Sequence, residues 1–402
     1  MAAATPLRVL AIFRHPTPYR DPLLDRVAAL PGLLLRALYL AETFPNTPWK
    51  RGRLEHEHSF PTCWLRIPIG RPATTHLGFH PEVGWELLVR QPDVVVMGSY
   101  SDPTSWMVCL LCRLLRIPLI QCSESLRRGG AVPGTQHAHG FFVPWLVRSA
   151  RAWLPAGSRA RAHLATLGAD PERSHRFPTS PDTRGFSATI ARLREERDPR
   201  EELPGELDDE HVVFVGRFVT EKAVDVLLDA WPKVLERRPK ARLLLVGDGP
   251  LREQVEAQAA TTSRVELLGF REFGEVAAIM AGSDVFVLPS RFEPWGSVAC
   301  EALAAGLPVV LSEEVGSATD VLAEPDPPGV LVPIEDPMAL ADALVTVLAD
   351  PQRGSEPQRE RSRRRAWAWG HDRNLQSLLR ALTDCGFDVR EAERAADLPA
   401  LD

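Results

Sequence analysis

The stretch SRFEPWGSVACEALAAGLPVV, residues 290–310, has the pattern of a strand end, a polar loop, a helix and the start of a second strand. Glu293 lies in the loop, and Glu301 follows it eight residues later. Ser297, between the two glutamates, is a credible helix N-cap. We therefore expect the backbone amides of residues 296–298 to face an anion at the start of this helix.

The two glutamates suit recognition of a sugar nucleotide. Glu301 can accept hydrogen bonds from ribose hydroxyls. Glu293 can reach the hydroxyls of a transferred sugar, where a carboxylate also balances an oxocarbenium-like charge. The alternative is that both carboxylates lie on a solvated loop and helix, and the Gly, Pro and Trp between them at a strand end disfavour it.

Around this stretch, short apolar strands alternate with amphipathic helices. In the second half, strands are predicted at residues 212–216, 243–247, 265–269, 284–289, 308–312 and 330–333. The first half repeats the pattern with strands at residues 8–13, 33–40, 93–98, 118–123 and 151–156. Near-continuous apolar strands separated by helices indicate parallel sheets that are covered on both faces. The predicted fold class is α/β, with two doubly wound Rossmann-like domains facing a central cleft.

The length of 402 residues favours two domains, because single hydrophobic cores stop growing near ~250–300 residues. The charged, proline-containing stretch 191–210 is interpreted as the linker. The predicted domains are an acceptor-binding domain at 1–200 and a nucleotide-sugar-binding domain at 201–358. A helical tail at 359–402 is expected to pack back toward the first domain. Its arginine-rich start is interpreted as a solvated helix face whose tryptophans pack inward.

Composition narrows the partners and the location. A net charge of −6, from 47 basic and 53 acidic residues, does not support nucleic-acid binding. Six cysteines are too few for a disulfide scaffold, and Cys109 and Cys112 are interpreted as core residues rather than zinc ligands. The start of the chain lacks a signal-peptide pattern, and no apolar run reaches the ~18 residues of a membrane span. We predict a cytoplasmic protein and leave open peripheral contact with the inner face of the membrane.

Two cationic side chains follow the first predicted strand of the second half. Gly216, Arg217 and Lys222 lie at a strand end and helix start, where a diphosphate would find the Arg fork and the Lys point charge. The next loop, VGDGPLRE, fails the dinucleotide fingerprint because Arg252 stands where the third glycine belongs. Gly247 is instead expected to let the backbone approach a base or ribose, or to form a tight turn.

The order and spacing of these motifs across 211–350 resemble the retaining nucleotide-sugar glycosyltransferases of family four, which have the GT-B fold. The resemblance implies sugar transfer with retention at the anomeric carbon, no divalent metal and no cofactor besides the donor. It assigns the diphosphate to Arg217 and Lys222, the ribose to Glu301, and the donor sugar to Glu293. The complete set of donor contacts predicted in this way is Gly216, Arg217, Lys222, Gly247, Leu268, Gly269, Phe270, Glu293, Pro294, Trp295, Gly296, Ser297, Val298 and Glu301, with the backbone at 268–270 meeting the base.

The first half resembles the family more loosely. The loop after its first strand reads HPTPYR instead of a glycine-rich loop, so that His15 and Arg20 are only minor candidates for acceptor or phosphate contact. Glu124, at a strand end, is the candidate for the catalytic position of this domain, with an ordinary loop carboxylate as the alternative. His137 and His139 could also line the cleft, but unplaced histidines are more often structural.

The predicted function is therefore transfer of a hexose from a nucleotide sugar to a saccharide, lipid-linked or small natural-product acceptor. The predicted catalytic residues are Glu293, Arg217, Lys222 and Glu124, and no metal ligand is predicted. Three alternatives stay open: a sugar-nucleotide epimerase, a phosphorylase of the same fold, and a non-catalytic subunit that binds a nucleotide sugar for a partner. The tryptophans at 49, 64, 106 and 145 are expected to fill the core rather than to stack on an acceptor.

Overall fold

The chain forms two compact units in a computed structural model, which describes residues 5–42, 54–69, 75–98, 102–124 and 136–398. One unit comprises Met1–Thr179 together with His371–Asp402, and the other comprises Ser180–Gly370. Each unit contains one six-stranded sheet of parallel strands. The alternation of apolar strands and helices in each half of the sequence therefore corresponds to one α/β unit per half.

The first unit is built on a sheet with strand order β3-β2-β1-β6-β7-β8, and β4 and β5 form a separate antiparallel hairpin. Its strands are β1 Leu7–Phe13, β2 Leu33–Tyr39, β3 Glu57–Ser59, β4 Leu65–Ile69, β5 Thr75–Phe79, β6 Val94–Met97, β7 Leu119–Ser123 and β8 Ala152–Pro155. Its helices are α1 Asp21–Ala28, α2 Pro81–Arg90, α3 Pro103–Leu115, α4 Gln136–Ser149 and α5 Ser158–Leu167.

The second unit has strand order β11-β10-β9-β12-β13-β14. The chain adds β10 and β11 on one side of β9 and then β12 to β14 on its other side, as in a doubly wound sheet. Its strands are β9 Glu210–Val215, β10 Ala241–Val246, β11 Val265–Gly269, β12 Val285–Leu288, β13 Val309–Ser312 and β14 Gly329–Val332. Its helices are α6 Thr183–Glu196, α7 Val224–Arg237, α8 Arg252–Ala260, α9 Phe273–Gly282, α10 Ser297–Ala304, α11 Ala318–Val321, α12 Pro337–Ala349 and α13 Glu356–Trp367. The chain then returns to the first unit as α14 His371–Asp384 and α15 Arg390–Ala396.

Both faces of the first sheet are buried. Successive residues of a strand point to opposite faces, and β1 supplies Val9, Ala11 and Phe13 to one apolar cluster but Leu10 and Ile12 to another. Strand β1 therefore needs apolar residues at successive positions, which explains its unbroken apolar run at 9–13.

The unit boundaries differ from those read from the sequence. The charged stretch 191–210 is not a free linker, because α6 and a 3-10 turn at Pro199–Glu202 pack on the second unit. There, Arg194 donates to the carbonyl oxygen of Ala281 at 3.0 Å, and Arg200 pairs with Asp284 at 2.6 Å. The arginines that suggested a solvated linker thus serve internal contacts of this unit.

The C-terminal segment 359–402 is divided between the units. Its first part completes α13 in the second unit, whereas α14 packs on the first unit, where Asn374 donates to the carbonyl oxygen of Pro178 at 2.7 Å and Arg26 pairs with Asp372 at 2.9 Å. The tryptophans near the end of α13 pack inward, and Trp369 lies 5.1 Å from Trp295 between ring centroids.

Two predictions about core residues have different outcomes. Cys109 and Cys112 are buried in an apolar cluster, and burial raises the pKa of both thiols to about 12. The prediction that they are core residues is confirmed. Trp64 and Trp106 are 71% and 39% exposed, so the prediction that they fill the core is wrong. Trp145 packs partly buried against the core, and Trp49 lies outside the described residues.

Candidate functional site

The loops that follow β9 and β12 meet at the carboxyl edge of the second sheet. These strands are neighbours, and ligands of open α/β sheets bind beyond such strand ends. Lys222, in the 3-10 turn after β9, donates a hydrogen bond to the carboxylate of Glu293, in the loop after β12. Both side chains are largely buried, with 18% and 15% of their surface exposed. The structure therefore joins two of the predicted catalytic residues in one ion pair.

Arg217 lies in the same loop, directly after Gly216, and its side chain is exposed. In the described part of the chain it makes no side-chain hydrogen bond or ion pair. Its neighbour Phe218 is buried and donates its N–H to the carbonyl oxygen of Asp248 at 2.9 Å, which anchors the loop. The backbone is thus held while the guanidinium is available to a ligand.

The loop that carries Glu293 is fixed by backbone contacts with the segment after β13. The Glu293 N–H donates to the carbonyl oxygen of Glu314 at 3.1 Å, and the Gly316 N–H donates to that of Glu293 at 2.8 Å. A Cβ at Gly316 would lie 2.0 Å from the carbonyl oxygen of Pro294. Only glycine allows the two segments to come this close, and the carboxylate is therefore held on a rigid backbone.

Helix α10 begins with Gly296 rather than Ser297 as its N-cap. Gly296 has a φ of +92°, and Ser297 is the first helical residue. The prediction of a serine cap is wrong because the chain enters the helix through a left-handed turn that favours glycine. The first amides of α10, including those of Ser297 and Val298, still lie just after the Glu293 loop. Glu301 is 5% exposed on the same helix.

Gly247 serves a close approach between two loops of the protein itself. It has a φ of +147°, and a Cβ there would lie 1.8 Å from the carbonyl oxygen of Gly216. A Cβ at Gly249 would lie 2.5 Å from the carbonyl oxygen of Phe218. The two glycines therefore pack the loop after β10 against the loop that carries Arg217. Direct contact of Gly247 with a nucleotide stays a prediction.

The end of β11 is more open. Leu268 and Gly269 are half-buried, Gly269 has a φ of +70°, and no atom of the described residues lies within 4 Å of the position of a Cβ there. The side chain of Phe270 is 39% exposed. This strand end has room for a planar group, and its contact with a base stays a prediction.

Trp295 differs from its neighbours in the loop, because its side chain is 3% exposed and packs on Trp369. Its carbonyl oxygen accepts from the Ser317 N–H at 2.9 Å. The indole thus belongs to the core beneath the loop, whereas Pro294 is half-buried at the loop surface.

Sequence reasoning missed Arg291, which ties the loop of Glu293 to the start of helix α7. Its two terminal nitrogens donate to the two carboxylate oxygens of Asp225 at 2.9 and 2.7 Å, and it also pairs with Glu335. These contacts raise the pKa of Arg291 and lower the pKa of Asp225. The only signal in the sequence is an arginine beside the predicted loop, which says nothing about its partners.

The segment that carries this site matches a known protein family. Residues 209–350 match the family described as glycosyl transferases group 1. The match includes Arg217, Lys222, Glu293 and Glu301. This segment is a group 1 glycosyltransferase domain. Within the described residues, no group of three or more His, Cys, Asp or Glu side chains is arranged to hold a metal ion.

Two curated glycosyltransferases resemble part of the chain. The α-D-kanosaminyltransferase of Streptomyces kanamyceticus is 30% identical over 255 residues, which are 60% of this chain and 64% of that protein. The phosphatidyl-myo-inositol mannosyltransferase of Mycobacterium leprae (strain TN) is 41% identical over 140 residues, which are 34% of this chain and 37% of that protein. The chain thus spans less than two thirds of either relative.

The solved structure of Anabaena HepE in complex with UDP resembles the chain more completely. Its TM-score is 0.67 at 18% identity, over 94% of this chain and all of that one. The predicted fold of two Rossmann-like domains, named GT-B for this class of glycosyltransferase, is confirmed.

The unit that precedes the group 1 domain carries the remaining candidates. Glu124 is exposed just after β7 and accepts a hydrogen bond from the hydroxyl of Thr179. Arg20 donates to the carbonyl oxygen of His15 at 2.8 Å and lies over the ring of Phe13. The catalytic role of Glu124 stays a prediction, and the side chains of His137 and His139 lie outside the described part.

A buried polar network near the end of β2 was also missed. The Tyr39 hydroxyl donates to Asp21 at 2.7 Å and lies 2.9 Å from His56 Nε2, while His56 Nδ1 lies 2.5 Å from Asp25. Burial raises the pKa of Asp21 and of Tyr39. No spacing in the sequence links these residues, because they come from three different elements.

Proposed function

We propose that this protein transfers a sugar from a nucleotide-sugar donor to a hydroxyl group of an acceptor, with retention at the anomeric carbon. The observation that carries the proposal is the Lys222–Glu293 ion pair at the carboxyl ends of neighbouring strands. It lies within the segment that matches the group 1 glycosyltransferases. The pair supplies a cation for a leaving diphosphate and an anion for a sugar ring.

The diphosphate would be bound without a metal ion. Arg217 offers an exposed fork of donors, Lys222 a compact charge, and the start of α10 the positive end of a helix dipole. Backbone donors and the dipole of a helix N-terminus favour an anion, and Arg adds bidentate hydrogen bonds. Together these groups can balance the charge that develops as the diphosphate departs.

Retention follows if the acceptor attacks from the face that the diphosphate leaves. The bond between the anomeric carbon and the β-phosphate oxygen breaks, and the acceptor oxygen bonds to the same face of that carbon. The leaving phosphate oxygen takes the acceptor proton, so that no further base is needed. Glu293 would hold sugar hydroxyls and stabilise the positive charge on the ring.

The acceptor is proposed to be lipid-linked and reached at a membrane surface. Helix α3 exposes Trp106, Leu110 and Leu114 at helical spacing on one face. Helix α2 exposes Trp85, Leu88 and Val89 in the same way. We call these the apolar faces of α2 and α3.

Exposed arginines end both helices, Arg90 on α2 and Arg113 and Arg116 on α3. Tryptophan, leucine and nearby arginine are the residues with which interfacial helices bind anionic lipid. Among the described residues, no helix combines the length and hydropathy that a membrane crossing requires. The proposed contact is therefore with the surface of the bilayer.

The alternatives make different use of the same residues. An epimerase has no need for an acceptor, and a phosphorylase uses inorganic phosphate in place of an acceptor hydroxyl. The segment with Glu293 and Glu301 disfavours the epimerase. A non-catalytic binding subunit would tolerate loss of Glu293 or Lys222. Their pairing in a rigid, largely buried setting supports a working site.

The decisive experiment measures turnover. Wild type and Glu293→Gln are incubated with UDP-, GDP-, ADP- and dTDP-sugars and with glycolipid and saccharide acceptors, and nucleoside diphosphate release is followed. We expect one donor to be consumed, a loss of about 100-fold in Glu293→Gln, and an unchanged rate for Glu253→Gln, an exposed carboxylate of α8. Nuclear magnetic resonance of the product then reports its anomeric configuration. Diphosphate binding by wild type without release from any donor would favour the binding subunit.

A further inference from the structure

A second candidate site lies at the opposite edge of the group 1 sheet. A cavity of about 350 Å³ opens where β12 and β13 begin, next to Asp284 and Pro308, and the start of α13 forms another wall. The Lys222–Glu293 pair lies beyond the carboxyl end of β12. Four strand residues separate the two edges by roughly 13 Å, so this cavity is distinct from the proposed donor site.

Four arginines line this cavity, together with a single carboxylate, that of Asp284. Arg200 pairs with Asp284 at 2.6 Å, and Arg353 pairs with it at 3.0 Å. Arg353 also reaches Glu210 at 2.9 Å. The acidic groups around the cavity are thus occupied by two of the four arginines.

The other two arginines form no ion pair with a carboxylate in the described part of the chain. Arg194 donates to the carbonyl oxygen of Ala281, and no ion pair of Arg194 is found in the described residues. Arg359 is half-buried, and across the described ranges its side chain makes neither a hydrogen bond nor an ion pair. Burial, followed by the charges of Arg359 and Arg363, lowers the pKa of Arg194 to about 10. The protein therefore holds neighbouring cations together at an energetic cost.

The start of α13 adds the field of a helix N-terminus at the same wall, which Gly354, Gln358 and Arg359 form. The Ser355 hydroxyl already accepts from the Gln358 N–H, and Pro357 has no N–H, so this end acts through its dipole rather than through a row of free amides. Gln358 is 3% exposed and is anchored by donating to the carbonyl oxygen of Gly306 at 3.2 Å. A helix N-terminus favours an anion, which agrees with the uncompensated arginines.

We propose that this cavity binds a phosphate group, either inorganic phosphate or the phosphate of a small metabolite. Arg194 and Arg359 provide the guanidinium forks that bind phosphate oxygens in pairs. A volume of about 350 Å³ lies at the lower end of small-molecule sites, which span roughly 300–1,000 Å³. A bound phosphate would relieve the repulsion between the two arginines.

The test uses the full chain carrying Arg217→Gln, so that phosphate at the proposed donor site does not contribute. Melting temperature is measured against inorganic phosphate and against a hexose phosphate, with chloride keeping the ionic strength constant. Phosphate at ten times its dissociation constant should raise the melting temperature by about 3 °C. Adding Arg359→Gln should abolish the rise without unfolding the protein, because that guanidinium has no hydrogen bond or ion pair to lose in the described structure.

Two comparisons keep the result interpretable. Arg364→Gln, an exposed arginine of the same helix that pairs with Glu360, should leave the phosphate response unchanged. Arg194→Gln should reduce the response even if Arg359→Gln folds poorly. A larger rise with the hexose phosphate identifies a metabolite, and equal rises identify phosphate itself. No rise in the parent protein, or an undiminished rise in both Arg359→Gln and Arg194→Gln, would overturn the proposal without touching the proposed transfer reaction.

Discussion

Lys222 and Glu293, which are 71 residues apart in the chain, form one ion pair between the loops after β9 and β12. A backbone bond from Phe292 N–H to the carbonyl oxygen of Glu221, at 3.3 Å, joins the same two loops. In the absence of a donor each charge neutralises the other. A nucleotide sugar would separate their roles, with the diphosphate on the lysine and the sugar hydroxyls on the carboxylate.

We predict that variants of the two residues affect different parts of the donor. Lys222→Gln should weaken binding of both the nucleoside diphosphate and its sugar conjugate by about 10- to 100-fold, the value of a charge-assisted hydrogen bond. Glu293→Gln should weaken only the sugar conjugate, because removing a carboxylate beside the diphosphate does not harm diphosphate binding. Calorimetric titration measures the affinity of each variant for both ligands. Equal weakening of the two ligands by Glu293→Gln would show that the carboxylate does not meet the sugar.

The Arg291–Asp225 contact should make stability depend on pH. Arg291 lowers the pKa of Asp225, so this stabilisation is complete above the ordinary pKa of about 4 and is lost as pH falls through the lowered value. The free energy of unfolding of wild type should exceed that of Arg291→Gln by about 1 kcal/mol at neutral pH. This value is discounted because both partners are partly exposed to solvent. The difference should shrink toward pH 2. Urea unfolding at several pH values measures it, and a difference that stays constant with pH would contradict this account.

Gly247→Ala should destabilise the group 1 domain. The new methyl group would lie 1.8 Å from the carbonyl oxygen of Gly216, at a φ of +147°, and the clash should cost about 2–3 kcal/mol. Gly274→Ala is the matched control, because it lies in helix α9 and none of the atoms that the structure describes is within 4 Å of the new Cβ. Chemical denaturation compares the two. Wild-type stability of Gly247→Ala would mean that the two loops are not packed this closely.

The apolar faces of α2 and α3 should bind anionic vesicles. Replacing Leu110 and Leu114 together by Ser should lower partitioning at least about tenfold, because each leucine buried in lipid contributes about 1.5–3 kcal/mol. Leu207→Ser removes an equally exposed leucine from the other unit and should leave partitioning unchanged. Co-sedimentation with vesicles of phosphatidylglycerol and phosphatidylcholine measures this. Similar partitioning of both variants would remove the support for a membrane-bound acceptor.

The sequence was sufficient for the sheet and for the loops that form the site. Strand β9 and its neighbours β10 and β12 contain unbroken apolar runs at 212–215, 243–246 and 285–288, because both faces of the sheet are covered. This pattern is local. The loop residues follow directly from it. Glu293 and Lys222 could therefore be placed at strand ends without knowledge of their partners.

Contacts between distant segments could not be predicted from the sequence. Gly247 resembled a nucleotide-binding glycine, but the backbone that approaches it is that of Gly216. Ser297 resembled a cap until the left-handed turn at Gly296 was known. Arg194 resembled a linker residue, although its contact, Ala281, lies 87 residues later in the chain, after β9, β10 and β11. Each of these depends on tertiary packing that leaves no spacing in the sequence.

The most direct test of the account asks whether the group 1 domain binds a nucleotide through Arg217. Melting temperatures are measured with UDP, GDP, ADP and dTDP for wild type, Arg217→Ala and Arg237→Ala, which replaces an exposed arginine at the far end of α7. A ligand at ten times its dissociation constant adds about 1.4 kcal/mol of stability. The account predicts that one nucleotide stabilises wild type and Arg237→Ala but not Arg217→Ala. Stabilisation by none of the four, or equal stabilisation of all three proteins, would contradict it.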